Sequence, residues 1–159
     1  MIFYEANEIK VRPAVDDDVV KLARSLSEGD TNEVWASHHF SPVQAVRYSF
    51  RDSVFCLTVA KDPEVLAMFG VGGNILFGEK APIWMLSSNN LARIKYRFAR
   101  HTAQFVKLML TITPYLYNYV DVRNETSLQW LEFSGATIMP PAPYGIEQKD
   151  FCYFYFERK

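Results

Sequence analysis

Adjacent histidines and a strand-end aspartate are the side chains in this sequence best suited to proton transfer. His38 and His39 follow Trp35 in a segment that lacks an apolar stripe. The unperturbed pKa of histidine, about 6.5, suits a general base at neutral pH. The alternative is a polar loop pair with one imidazole ring packed on Trp35. Asp121 ends an apolar strand and is a second candidate; its alternative is a cap or turn carboxylate before Asn124.

A basic stripe distinguishes the segment between Lys80 and Val120, which contains six basic residues and no acidic ones. The rest of the chain has eleven basic and eighteen acidic residues. Five polar residues recur at helical spacing on one face of this segment: Arg93, Arg97, Arg100, Gln104 and Lys107. The stripe is either a solvated helix face or an anion site at the helix start, where backbone N–H groups and the helix dipole also favour negative charge.

The two cysteines, Cys56 and Cys152, both lie in apolar runs. Two cysteines do not make a disulfide framework, and no Cys/His cluster with metal-ligand spacing occurs. We therefore expect buried, reduced thiols and no metal. A redox or nucleophilic thiol is the alternative.

The composition is that of a globular chain, because 49% of the 159 residues are hydrophobic and 22% are charged. The length favours one domain over 1–159. A net charge of −1 gives no general reason to bind nucleic acid. No apolar run approaches the roughly 20 residues that span a bilayer, and residues 1–11 lack the pattern of a secretory signal. We therefore expect no membrane partner and no signal peptide.

Hydrophobic periodicity predicts elements in the order β-α-α-β-β-β-α-β-α-β-β. Strands are expected at 9–12, 54–60, 65–71, 82–86, 115–122, 136–139 and 151–156. Helices are expected at 16–28, 41–50, 91–110 and 124–133. We expect Asp16 to cap the first helix, Gly29 to end it and residues 30–40 to form a loop. Hairpins followed by crossovers imply an α/β fold, a mixed twisted sheet of about six or seven strands with helices on both faces.

Aromatic residues alternate along the two last long strands: Tyr115, Tyr117, Tyr119, Phe151, Tyr153 and Tyr155. Such a ladder could stack nucleic-acid bases. At strand spacing it is more typical of sheet packing or of a protein interface, and the net charge does not favour nucleic acid.

The order of these elements resembles the GNAT superfamily of N-acetyltransferases. A strand, a loop and a basic helix are followed by a strand, an asparagine, a short helix and a glycine. Asn124, Ser127 and Gly135 fall at the family's asparagine, small-residue and glycine positions. The resemblance implies acetyl-CoA as the cofactor, held by Met85, Leu86, Ser87, Arg93, Arg97 and Asn124. It also implies that His38, His39 and Asp121 border the acceptor side of the cleft.

The sequence departs from the GNAT pattern at several positions. Leu131 stands where many members have the tyrosine that protonates the leaving thiolate, and Ala136 replaces a phenylalanine. Tyr96 and Phe98 fall where the pyrophosphate loop has small residues, and Gly135 is the only glycine between residues 79 and 144. Glycine lets backbone N–H groups approach phosphates closely. These departures predict that acetyl-CoA binding and turnover are weak or lost.

The same departures resemble a bacteriophage GNAT-like family that includes internal virion protein A of T7-like podoviruses. The residues that carry this second resemblance are segment 83–88, the basic helix, segment 116–120 leading to Asn124, Trp130-Leu131, Gly135-Ala136 and Gly72-Gly73-Asn74. It implies a virion or host protein as the partner, with homo-oligomers also open, and a location in the infected host cytoplasm or the virion. The favoured function is therefore protein–protein contact, in virion assembly or host-protein binding. The alternative is an active N-acetyltransferase that moves an acetyl group from acetyl-CoA to an amine.

Overall fold

The computed structural model describes residues 2–6, 8–73, 78–93 and 95–159, without the side chains of residues 4, 6 and 92–100. Within these ranges the strands are β1 Tyr4–Ala6, β2 Ile9–Pro13, β3 Ser53–Lys61, β4 Glu64–Gly72, β5 Ala81–Ser87, β6 Tyr115–Asp121, β7 Thr137–Ile138, β8 Ala142–Tyr144 and β9 Lys149–Glu157. The helices are α1 Asp16–Arg24, α2 Glu28–His38, α3 Pro42–Asp52, α4 Lys95–Leu110 and α5 Glu125–Phe133. A short 3₁₀ helix, Asn89–Arg93, precedes α4.

All of the described strands belong to one mixed sheet in the order β1-β2-β3-β4-β5-β6-β9-β7, with β8 paired to β9. Every neighbouring pair is antiparallel except β5 and β6, which are parallel and joined by the α4 crossover. The predicted α/β fold is confirmed. The strands beyond the expected six or seven are short ones, such as β1 and β8, which the periodicity of the sequence did not mark.

Two apolar clusters cover the two faces of the sheet. One packs α4 and α5 against the sheet through Phe105, Val106, Met109 and Trp130. The other packs α1 and α3 against the opposite face of β4 and β5. Strand alternation divides β5 between them: Ile83 and Met85 belong to the α4 side, and Trp84 and Leu86 to the α1 side. The helices therefore lie on both faces, as predicted.

The segment between α1 and α3 differs from the prediction. α1 ends at Arg24, and residues 28–38, largely expected as loop, form α2. Gly29 lies inside α2 and does not terminate a helix. The N-cap of α1 is Val15 rather than Asp16, and the Asp18 carboxylate closes the cap by accepting from the Val15 N–H at 2.9 Å. Apolar periodicity failed here because α2 is anchored by polar contacts, which are described next.

Candidate functional site

The two parallel strands at the centre of the sheet separate after a short stretch of pairing. β5 and β6 are in register only at Ala81 and Pro82 of β5. Just beyond, the Asn118 side chain donates to the carbonyl oxygen of Ile83 at 2.8 Å, in place of a backbone donor from β6. The strands then diverge, and a V-shaped gap opens between them.

Met85 presents its backbone to this gap. Because backbone groups alternate in direction along a strand, the N–H and C=O of Met85 face the same side as the Ile83 carbonyl, away from β4. Ser87 continues the pattern, and its N–H and C=O bond to Asp30 and Ser27 rather than to β4. Within the described residues the Met85 groups have no such partner. They are therefore available to an extended ligand.

An open cleft of about 730 Å³ passes through the sheet at this gap. Its side nearest α4 and α5 is mainly apolar, with Phe105, Val106, Met109, Trp130, Leu131 and Ser134. Its side nearest α2 and α3 is aromatic and charged, with Glu33, Tyr48, Asp52, Trp84, Tyr117, Tyr119 and Tyr144. One ligand can therefore lie along each side, and the two can meet at the gap.

Two carboxylates of α2 close the wide end of the gap by accepting a backbone donor from each strand. Asp30 accepts from the N–H and the hydroxyl of Ser87 on β5, at 2.7 and 3.1 Å. Glu33, about one turn later, accepts from the N–H of Asp121 on β6 at 2.7 Å. These N–H groups would lack partners where the strands part. α2 therefore supplies the hydrogen bonds that the interrupted ladder cannot.

Asn124 links the two carboxylates from the start of α5. Its Nδ2 donates to Asp30 at 2.9 Å and lies 3.5 Å from Glu33 Oε1. Asn124 occupies the N-cap position of α5, but its side chain makes no capping bond. Gly29 permits this close approach, because a Cβ on Gly29 would lie 2.6 Å from the Asn124 side-chain oxygen.

Burial raises the pKa of both carboxylates. For Asp30 burial dominates, and the bonds from Ser87 and Asn124 oppose it only in part. Burial, followed by the charge of Asp30, raises the pKa of Glu33 to about 8. The negative charge of Asp30 disfavours a second charge on Glu33, so the two carboxyl groups are not easily ionised together. Glu33 is half-buried and lines the cleft, so its proton can exchange with a ligand.

The two predicted histidines have different surroundings. His39 stacks on Trp35 with 4.4 Å between ring centroids and bonds Glu147 at 2.9 Å, which is the packing that the alternative predicted. His38 stacks on Phe40 and lines the cleft near its mouth, with Nδ1 2.8 Å from the Ser37 hydroxyl. Of the pair, His38 is the one placed to meet a ligand; its catalytic role stays a prediction.

The predicted aspartate and cofactor residues also differ in whether they line the cleft. The Asp121 carboxylate is buried and accepts a bidentate pair from Arg123, from Nε to Oδ1 at 3.0 Å and from Nη2 to Oδ2 at 2.6 Å. Met85, Leu86 and Ser87 line the cleft, whereas Asn124 lies beneath it. The side chains of Arg93 and Arg97 lie outside the described residues. The cofactor roles of these residues stay predictions.

Sequence reasoning missed Asp30 and Glu33, the two carboxylates that join α2 to the sheet. A signal was present: Ser27 precedes Asp30 by three residues, which is the spacing of an N-cap box. The structure has the Ser27 hydroxyl accepting from the Asp30 N–H at 3.2 Å. That signal would have started a helix at Glu28 and put both carboxylates on one face.

Neither cysteine has the surroundings of a nucleophile. Both are free thiols. Burial raises the pKa of Cys56 to about 12 and also raises the pKa of Cys152. In the part of the chain that the structure describes, no three His, Cys, Asp or Glu side chains are grouped to hold a metal. No described helix is long and apolar enough to cross a bilayer.

Comparison with curated sequences gives only a short match. No family model matches the chain. A stretch of 66 residues is 35% identical to WD repeat-containing protein 55 of Homo sapiens and of Pongo abelii, over 41% of this chain and 17% of those proteins. The chain thus spans about a sixth of the length of these relatives. WD repeats form separate four-stranded blades, unlike the single sheet described above, so this match carries no argument about the fold.

Solved structures match nearly the whole chain. An acetyltransferase from Agrobacterium tumefaciens has a TM-score of 0.68 and 15% identity, over 98% of this chain and 94% of that one. Ribosomal-protein-S5-alanine acetyltransferase from Vibrio fischeri has 0.67 and 16%, over 100% and 97%. Spermidine N-acetyltransferase from Vibrio cholerae, in complex with CoA and spermine, has 0.67 and 12%, over 96% and 97%. The sheet with its central splayed strands therefore has the fold of the GNAT acetyltransferases.

Proposed function

We propose that this protein transfers an acetyl group from acetyl-CoA to a primary amine. The observation that carries the proposal is the exposed backbone of Met85 in the gap between β5 and β6, with open space on both faces of the sheet. A strand N–H fixed in place can hydrogen bond a thioester carbonyl and stabilise the negative charge that develops on its oxygen. The fold of the Vibrio cholerae relative, which binds CoA, supports the same assignment.

The α4 and α5 side of the cleft suits the cofactor. Its apolar residues can cover the pantetheine chain, and the Ser134 hydroxyl is buried without a hydrogen-bond partner among the described residues. A buried hydroxyl without a partner is costly, which favours a ligand that completes it. When bound, acetyl-CoA supplies a thioester whose acetyl group passes to nitrogen, with release of the CoA thiol and a proton. Ser134, one turn beyond Leu131, is placed to donate a hydrogen bond to the departing sulfur.

Glu33 is the group that we propose takes the proton from the incoming amine. An amine arrives mostly as an ammonium ion and must lose a proton before its nitrogen can attack a carbonyl. Glu33 lies at the gap, accepts hydrogen bonds through Oε1, and has a pKa of about 8. A base with a pKa near the working pH is efficient because it is both available and strong enough. Burial raises the pKa of Glu33 and the charge of Asp30 raises it further, while Asn124 contacts Oε1 and helps to position it.

Titration calorimetry with acetyl-CoA tests the assignment of the gap. Met85→Pro removes an N–H that the sheet does not use, so the variant should keep its fold yet lose affinity at least about tenfold. Met85→Ala keeps the N–H and is the matched control, with affinity within about threefold of the wild type. Equal affinity of the proline variant, with unchanged circular dichroism, would contradict the assignment.

A second candidate function is protein–protein contact without catalysis, as the phage resemblance implies. Leu131 favours it, because this cleft residue cannot donate a proton to a leaving thiolate. In that case the partner would be a virion or host protein in the infected cell. Folded protein that shows no heat with millimolar acetyl-CoA and releases no CoA with any amine would favour this second function. Clear binding would favour the enzyme.

A further inference from the structure

The geometry points to a small alkyl amine with a second positive charge as the acceptor that binds on the α2 and α3 side of the cleft. This inference rests on the proposed function, because it names the amine of that same site. Three observations support it: a wall of aromatic rings, an ammonium group of the chain already lying on that wall, and two carboxylates across from it.

Tyrosine rings of β6 and β8 form the wall. Leu116 and Val120 of β6 are buried in the core under α4. Strand alternation therefore turns Tyr117 and Tyr119 to the opposite face, where both line the cleft. Tyr144 of β8 stacks on Tyr119 with 3.9 Å between ring centroids. Neutral aromatic faces carry negative charge density and attract cations.

Lys80 shows that this wall accepts an ammonium group. Its Nζ lies 5.3 Å from the centre of the Tyr117 ring, inside the range of a cation–π contact. Lys80 is exposed and lines the mouth of the cleft. The contact is therefore one that a ligand ammonium could replace. Burial raises the pKa of Tyr144, so this ring remains a neutral phenol at physiological pH.

Two carboxyl groups on the helices can meet such an amine, Asp52 as the opposing charge and Glu33 as the group that takes a proton. Asp52 at the end of α3 is exposed and lines the cleft, and Glu33 of α2 lies at the gap. An amine with a single positive charge becomes neutral once Glu33 has taken its proton, and the aromatic rings then no longer attract it as a cation. A second ammonium stays charged throughout and can remain against Tyr117 and Asp52. The site therefore fits a diamine better than a monoamine.

Binding of diaminobutane to the protein without acetyl-CoA tests this inference separately from catalysis. We expect calorimetry to give at least about tenfold tighter binding for diaminobutane than for n-butylamine. Tyr117→Leu should weaken diaminobutane binding about three- to thirtyfold, whereas Tyr117→Phe, which keeps the aromatic face, should leave it within about twofold. Lys80→Ala should strengthen it about two- to fivefold, because the substitution frees the ring and removes a like charge.

Four results would overturn the inference: no diaminobutane binding, equal binding of n-butylamine, tighter binding of phenethylamine, or weaker binding by Lys80→Ala. Unfolding of a variant is checked by circular dichroism, and the wild-type comparison of the three amines stands without any variant. Failure of the proposed function has a different signature. In that case acetyl-CoA would not bind and no amine would release CoA, whatever the diamine result.

Discussion

Two helices in this protein have an aspartate as their third residue, but the two carboxylates receive hydrogen bonds from different kinds of donor. Asp18 of α1 receives Arg12 in a bidentate pair at 2.8 and 2.9 Å, and also the Thr58 hydroxyl at 2.9 Å. Asp30 of α2 receives neutral donors from Ser87 and Asn124, and none of the described basic side chains pairs with it. Only the first aspartate has its charge neutralised.

The pKa values of these carboxylates follow the difference. Burial alone would raise the pKa of Asp18, but the bonds from Arg12, Val15 and Thr58 together lower it. Burial raises the pKa of Asp30, and burial with the charge of Asp30 raises that of Glu33. Buried charge without compensation costs stability, and such sites cluster where chemistry occurs. We therefore expect Asp18 and its partners to contribute to stability, and Asp30 and Glu33 to act on a ligand in the cleft.

The largest expected effect comes from Glu33→Gln, which keeps the oxygen that accepts from the Asp121 N–H but cannot take a proton. We expect kcat for acetyl transfer to fall by about 10²–10⁴, the usual value of general base catalysis. Acetyl-CoA affinity measured by calorimetry should not change. Glu28→Gln, on the exposed first turn of the same helix, is the control and should keep full activity. A wild-type kcat in Glu33→Gln would contradict the proposal that Glu33 takes the proton from the amine.

Arg12→Met should convert the Asp18 cluster into the type that surrounds Asp30. Asp18 would stay buried with neutral donors only, so its pKa should move from below to above its ordinary value, as measured by carboxyl NMR. The free energy of unfolding in urea should fall by about 2–4 kcal/mol. Arg24→Met, at the exposed end of α1, should change that free energy by less than about 0.5 kcal/mol. An unchanged pKa of Asp18 would show that burial and neutral donors do not explain the contrast.

The smallest expected effect is an opposite dependence of stability on pH. Folding lowers the pKa of Asp18, so its contribution to the free energy of unfolding is present above the pKa of the unfolded state and is lost as the pH falls. Asp18 therefore makes the protein less stable in acid. Folding raises the pKa of Glu33, so its contribution to the free energy of unfolding is complete below 4.5, the pKa in the unfolded state. That contribution declines as the pH rises to about 8. Between those values Glu33→Gln should remove a decline that the wild type shows. The full shift would correspond to about 5 kcal/mol, but solvent in the cleft screens most of it, which leaves a difference of about 1–2 kcal/mol, or roughly 2–8 °C in Tm. Parallel curves for the two proteins would contradict this account.

The sequence predicted the parts of the fold that rest on apolar periodicity. The helix at 91–110 and the strands at 54–60 and 65–71 carry regular apolar patterns, and the structure has α4, β3 and β4 there. α2 was missed because its inward side chains include Asp30 and Glu33, whose burial depends on strand donors from Ser87 and Asp121. No local pattern shows that two distant strands will part at that place. The stacking of a histidine ring on Trp35, in contrast, could be expected from sequence proximity alone, and the structure has His39 there.

The site was predicted in the same uneven way. Met85, Leu86 and Ser87 line the cleft, whereas Asn124 is buried outside its lining, and the cofactor roles of these four residues stay predictions. The proton acceptor that we propose was not predicted from the sequence, because the ordinary pKa of histidine suits a base, whereas the pKa of Glu33 does so only through burial and the charge of Asp30. Such shifts depend on tertiary contacts that a sequence does not display.

The dependence of kcat on pH, measured with saturating acetyl-CoA and diaminobutane, tests the central claim most directly. If Glu33 accepts the amine proton, kcat should rise with pH and reach a plateau, with its half-maximal value near pH 8. Glu33→Gln should show only a low rate without that inflection. A wild-type rate that is independent of pH, or that rises without a plateau, would contradict the account.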